Sequence, residues 1–254
     1  MGFLGQFKRH GLFIISFSLL ILLLTACDIG VGLPGSGDGG TAEPLPTTTP
    51  LGDTIDFSVP YTTNLEPGET IAGTSLTYVG PSANGYDVII NGQTATKQVG
   101  DSFSWSGILA PGVRGNYNLR LILPIGNNLQ VGGQIDLTVF SPQPVELDQF
   151  DKEGLTEFSN IIVNYRVPAS GRVPASSLTY LGFVDPGGEA SVAQRSAEFD
   201  LSADRFPYFA LGDSLIWQGQ LRENVYLRYN LRVGTIDENG LRVGGVATIW
   251  LDVE

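Results

Sequence analysis

The sequence predicts an all-β chain, with two tandem antiparallel β-sandwich domains behind an apolar N-terminal segment and a polar tether. Three observations predict it. Apolar and polar residues alternate over much of residues 54–254, turn dipeptides punctuate the alternation, and one block of sequence occurs twice. Alternation with period two is the mark of half-buried strands.

The N-terminus carries Lys8 and Arg9, then an apolar run of 13 residues from Leu12 to Leu24, broken only by Ser16 and Ser18. A basic start, a short apolar stretch and small residues at its exit are the features of a secretory signal helix. At about 1.5 Å per helical residue, the run falls short of a hydrocarbon core of about 30 Å. It ends in Leu24-Thr25-Ala26-Cys27, and Cys27 is the only cysteine of the chain.

That tetrapeptide resembles the lipobox of bacterial lipoproteins. The resemblance implies a signal peptide over residues 1–26, cleavage between Ala26 and Cys27, and a diacylglyceryl group on the Cys27 sulfur. The mature chain would then be anchored on the extracytoplasmic face of a cell membrane or the periplasmic side of the envelope. Each buried CH₂ contributes about 0.8 kcal/mol, and two acyl chains suffice for stable anchoring.

Residues 27–53 form the tether. DIGVGLPGSGDGGTAEPLPTTTPLGD is rich in Gly, Pro, Thr and Ser and has no sustained period. Too little apolar surface is present to offset the entropy of ordering, so a disordered spacer is expected. As a coil it would span roughly 25–30 Å, and more where the prolines extend it.

The remaining chain repeats. GDSFSWSGILAPGVRGNYNLR begins at Gly100 and GDSLIWQGQLRENVYLRYNLR at Gly212. Residues 100–133 match 212–245 at 16 of 34 positions without gaps. Ser75-Leu76-Thr77-Tyr78-Val79-Gly80 matches Ser177-Leu178-Thr179-Tyr180-Leu181-Gly182 ten residues out of that phase, so the second copy carries an insertion. The segment SVAQRSAEFDLSADRFPYF is its expected place. The copies are placed at 54–141 and 158–254. The acidic, proline-bearing residues 142–157 read as a linker. The alternative is that the two copies pack into one unit.

Each copy reads as strands. Phe103 and Trp105 share a face against Ser102, Ser104 and Ser106, and Tyr117, Leu119 and Leu121 alternate with Asn118 and Arg120. The second copy keeps the phase in Leu215 with Trp217, then Tyr229, Leu231 and Val233. Asn91-Gly92 and Asn239-Gly240 lie between strand-like runs, where Asn-Gly favours the type I′ hairpin. Short strands and units of this size point to immunoglobulin-like sandwiches. The pattern W-x-G-x-L, at Trp105-Ser106-Gly107-Ile108-Leu109, resembles the DUF11-type repeats of bacterial surface proteins. The second copy keeps Trp217, Gly219 and Leu221 but has Arg222-Glu223-Asn224 where the first has Ala-Pro-Gly. The resemblance implies a sandwich used as a stalk or spacer.

Composition narrows the chemistry. Without residues 1–26, the chain has 12 basic and 26 acidic residues, a net charge of −14. Nucleic-acid binding, which rests on cationic contacts to phosphate, is not expected. The single histidine, His10, leaves with the signal, so nucleophiles paired with His and zinc sites of His or Cys have no ligands. No metal, cofactor or enzymatic activity is expected. Asp148, Asp151 and Glu153 lack the spacing of a calcium loop. Asp101 and Asp213, in the repeated Gly-Asp-Ser, read as turn residues rather than as catalysts.

Three groups remain as contact candidates. Trp105 and Trp217 lie in phase with apolar neighbours and are expected in the cores; stacking on sugar rings is the alternative. Asn118 with Arg120, and Asn230 with Arg232, recur on an outward face, as a contact surface or a solvated one. Phe206, Tyr208 and Phe209 form an aromatic stretch found in one copy only, either a partner site or cover for a sheet edge. The expected function is display of two sandwiches for structural or adhesive contacts with an envelope protein or glycan. The alternatives are a ligand- or polysaccharide-binding module serving an envelope enzyme or transporter, and a hydrolase using carboxylates.

Overall fold

The computed structural model describes residues 53–185, 195–202 and 205–253. The signal helix, Ala26, Cys27 and the tether up to residue 52 lie outside the described residues. The first copy contains β1 (Thr54–Leu65), β2 (Leu76–Ser82), β3 (Gly85–Ile90), β4 (Gln93–Lys97), β5 (Ser102–Ala110), β6 (Val113–Ile125) and β7 (Asn128–Phe140). The second contains β9 (Thr156–Val167), β10 (Gly171–Arg172), β11 (Thr179–Val184), β12 (Ser196–Asp200), β13 (Tyr208–Ala210), β14 (Ser214–Arg222), β15 (Val225–Asp237) and β16 (Gly240–Leu251). Between them, β8 (Val145–Glu146) belongs to the second copy's larger sheet.

The described residues are all-β, and every strand pairing among them is antiparallel. In the first copy a sheet ordered β1-β7-β6-β5 packs on β2-β3-β4. In the second, β8-β14-β15-β16-β9 packs on β10-β11-β12-β13. Size and layering are those of an immunoglobulin-like sandwich. Within each layer, however, the strands follow chain order, and the first strand closes beside the last. Immunoglobulin domains instead interleave their strands as ABED and CFG. Alternation reports which face a residue takes and says nothing of which strand lies beside it.

The cores are where the alternation puts them. Phe103, Tyr117, Leu119 and Leu121 are buried, as are Leu215, Trp217, Tyr229, Leu231 and Val233. At about 25 cal/mol per Å², such rows supply the main stabilising term of a chain without disulfides. The repeated glycines answer to packing. A Cβ at Gly107 would lie 2.3 Å from the Trp105 ring, and one at Gly219 would lie 2.6 Å from the Trp217 ring. The W-x-G pattern thus records a tryptophan folded over the glycine two residues on. In the V-G-G blocks, a Cβ at Gly133 or Gly245 would lie 2.2 or 2.1 Å from the Asn118 or Asn230 carbonyl oxygen.

The turns are partly as expected. Asn91 and Gly92 both take positive φ, 51° and 77°, as a type I′ hairpin requires. Asn239-Gly240 differs. Glu238 and Asn239 make that turn, and Gly240 opens β16 with φ 120°, where a Cβ would strike the Val167 carbonyl. The extra residues of the second copy fall mainly between β11 and β12, and between β12 and β13.

Both copies lie in one compact unit, Thr48–Glu254. Strand β1 runs against β9. Arg222 packs on Gly112 of the first copy and donates to the Phe140 carbonyl. Val253 of the second copy packs on Gly73 of the first. Residues 142–157 connect the copies and also cross the second one. β8 pairs with β14 at Val145↔Gln220 and Glu146↔Gly219. Phe150 then stacks on Tyr226 at 4.4 Å and meets Trp250 edge-on at 5.3 Å. Lys152 lies 4.2 Å over the Trp250 ring, and the Trp250 indole donates to Glu157 at 3.0 Å. The first copy has Arg114 and Thr138 at the places of Tyr226 and Trp250.

Candidate functional site

A concave surface that holds candidate residues lies between the copies. A groove of about 580 Å³ is lined by Ser58, Pro60, Asn118, Arg120, Gly132, Gly133 and Gln134 of the first copy, and by Ile162 of the second. It forms because β9 runs against the edge strand β1 and sets Ile162 beside the outer face of the β1-β7-β6-β5 sheet. Asn118 and Arg120 therefore sit together in one depression, whereas Asn230 and Arg232 lie on the open face of the second copy.

Hydrogen bonds order this surface. Ser58 Oγ donates to Asp136 Oδ1 at 2.7 Å, and the Gln134 amide donates to Ser58 Oγ and to Asp136 Oδ1. The Gln134 and Ser58 bonds hold the Asp136 carboxyl below the usual carboxylate range, because they favour the charged form. Each repeated arginine has a structural duty as well. Arg120 donates to the Gly100 carbonyl and Arg232 to the Gly212 carbonyl, both at 3.0 Å. In the same turns, Asp101 accepts from the Gln98 N–H and Asp213 from the Ala210 N–H. The Gly-Asp-Ser aspartates thus cap turns at strand entry.

The tryptophans face inward. Trp217 is 1% exposed, and its indole N–H donates to Ser177 Oγ at 2.9 Å. Trp105 is half-buried and meets Tyr117 edge-on at 5.6 Å. The aromatic stretch is divided. Tyr208 to Ala210 form β13, which is the edge of the smaller sheet and pairs with β12. Phe209 turns inward and meets Phe199 at 5.5 Å. Phe206 and Tyr208 point outward, 75% and 37% exposed, in edge-to-face contact at 5.6 Å. Arg205 ties this edge to Glu146 of β8.

A second cleft of about 580 Å³ lies at the junction, lined by Ser141, Gln143, Val145, Gln220, Leu221, Arg222 and Glu223. Its floor is pinned by the Gln143 N–H bond to the Leu221 carbonyl at 2.7 Å. Apart from Asp136, the titrating groups most shifted by their surroundings are core tyrosines. Burial pushes Tyr117 and Tyr229 well up, and raises Tyr61, Tyr78, Tyr165 and Tyr180. These phenols are held neutral in packed surroundings, which suits wall-building more than proton transfer. Among the described residues, no three His, Cys, Asp or Glu side chains gather as metal ligands, and no helix is long and apolar enough to cross a membrane.

Sequence reasoning missed Arg222, Ile162 and Phe150. Arg222 stands where the repeat changes from Ala-Pro-Gly to Arg-Glu-Asn, and that departure was the available signal. Phe150 is the lone aromatic of an acidic stretch. Ile162 lies in a run, Ile161-Ile162-Val163, whose phase is set by the kink at Asn160, with φ 59°. Compared with known proteins, the chain matches no protein-family model, no curated protein sequence and no solved structure.

Proposed function

We propose that the chain is a lipid-anchored extracytoplasmic protein that displays two locked β-sandwiches for contacts with an envelope protein or glycan. The observation that carries the proposal is the Leu24-Thr25-Ala26-Cys27 exit of a short apolar run, followed by a Gly- and Pro-rich tether. A lipid on Cys27 attaches the chain, and the tether sets the double sandwich off from the bilayer. The W-x-G-x-L repeats, similar to DUF11-type surface repeats, support a display role. The clamp between copies supports it further. Arg222 on Phe140 and the run of β1 against β9 hold the copies in one fixed geometry. The reading assigns the chain no catalytic step.

The second reading is a polysaccharide-binding module, favoured by the groove at Asn118 and Arg120. Chemical crosslinking in the native envelope separates the two. Capture of a defined protein by Asn118, Arg120, Asn230 or Arg232 supports display for protein contacts. Retention on purified polysaccharide that is lost with Arg120→Ala supports the module. Turnover of any glycan overturns both.

A further inference from the structure

The internal repeat supplies a comparison within one molecule. On the outer face of the second copy's larger sheet, register aligns Ile216, Asn230, Val246 and Ile162 in one row across β14, β15, β16 and β9. Ile216, Val246 and Ile162 are 50%, 41% and 85% exposed. The same row of the first copy holds Ser104, Asn118, Gln134 and Pro60. A single exposed aliphatic residue needs no explanation, but three in line on a solvent face form a patch. The other copy shows that the fold does not need them there.

Arginines border the row. Arg232 lies two residues beyond Asn230 on β15, and Arg242 of β16 pairs across to Arg166 of β9. All three are exposed. Arg166 meets Asp237 at 3.6 Å, and Arg232 gives one donor to Gly212. A basic border is out of keeping with a chain of net charge −12, and it makes this face complementary to acidic partners.

The chain itself shows what lies on this sheet. The half beside Gln218, Tyr226 and Trp250 is covered by the acidic segment Leu147-Asp148-Gln149-Phe150-Asp151. The Gln218 amide donates to the Asp148 carbonyl at 3.2 Å, and Phe150 stacks on Tyr226. We propose that the uncovered half takes a second acidic peptide segment, extended and supplied by a partner protein. Its apolar side chains lie on the row of Ile216, Val246 and Ile162, and its carboxylates meet Arg232 and Arg242. At Ile162 the row runs into the groove that holds Pro60, Asn118 and Arg120, so the track passes from one copy to the other. Three aliphatic side chains offer nothing to a phosphate polymer, which favours the peptide. The inference rests on the reading of the chain as a display protein.

The test uses the full chain in detergent and a fluorescein-labelled peptide of alternating leucine and glutamate, read by anisotropy. The peptide binds, binding weakens as salt rises, and a leucine–lysine peptide does not bind. Ile216→Ser with Val246→Gln, residues the first copy already carries at these places, weakens binding roughly tenfold, as does Arg232→Glu. Ile108→Ser on the first copy leaves it unchanged. Failure of the leucine–glutamate peptide to bind overturns the inference. So does equal binding by the double variant, or competition by polyphosphate that is insensitive to that variant. Mass analysis of Cys27 in the same preparation reads the anchor separately. Loss of peptide binding on a lipid-bearing chain overturns this inference alone.

Discussion

Replacing Trp217 with alanine separates a core tryptophan from a sugar-stacking one. The side chain is 1% exposed, covers Gly219, and lies 6.2 Å from the Tyr229 ring. Removing so large a buried ring costs about 3–5 kcal/mol. The lost hydrogen bond to Ser177 adds about 1 kcal/mol at most, because the bond is only part-buried and water can reach the serine. In a unit of about 200 residues, each kcal/mol moves the melting temperature by about 2–4 °C, so the expected fall is roughly 6–24 °C. Trp105, only half-buried, should cost about half as much on the same substitution. The assay is urea and thermal denaturation of Thr48–Glu254, with a glycan-binding screen on each folded variant. A Trp217→Ala protein that melts within 2 °C of the parent but loses glycan binding would refute the core assignment.

Other expectations follow from particular contacts. Arg222→Ala removes the clamp on Gly112 and Phe140, and should lower stability by about 1–2 kcal/mol and split the calorimetric transition as the copies uncouple. Gly245→Ala places a methyl 2.1 Å from the Asn230 carbonyl, and should destabilise by more than about 2 kcal/mol in urea titration. Phe150→Ala loses the stack on Tyr226, which is worth about 0.5–1.5 kcal/mol beyond burial, and should raise hydrogen exchange in β8 first. The buried tyrosines fix the alkaline limb. Their folded pKa values lie above the unfolded value near 10, so their contribution is complete below pH 10. It is lost as pH rises toward the folded values, and stability should fall with pH in that range. Absorbance titration at the phenolate band checks this, with Tyr117 and Tyr229 ionising only as the chain unfolds.

Much of the fold was legible because burial and side-chain direction share a period. Phe103, Trp105, Tyr117 and Leu119 declare their face by alternation alone, and the repeat at Trp217, Tyr229 and Leu231 doubles the signal. Strand order was not legible. The β1–β7 and β9–β16 pairings join residues far apart in sequence, and no local pattern names a distant neighbour. The chain-order layering within each sheet is therefore visible only in the structure. The turn at Glu238-Asn239 also escaped, because contact with Val167 decides where glycine is needed there. At the candidate site, Asn118 and Arg120 were readable as outward residues. Their meeting with Ile162 depends on how the copies pack, which sequence alternation does not encode. The aromatic stretch is divided at a boundary that its sequence does not mark, with Phe209 turned into the core and Phe206 left on the surface.

Mass spectrometry of the N-terminal peptide from membrane-extracted protein decides whether Cys27 anchors the chain. The expected chain begins at Cys27, with a diacylglyceryl group on its sulfur, and Cys27→Ala yields a soluble unlipidated protein. A chain that begins at Met1, or a mature chain whose Cys27 carries a free thiol, would contradict it.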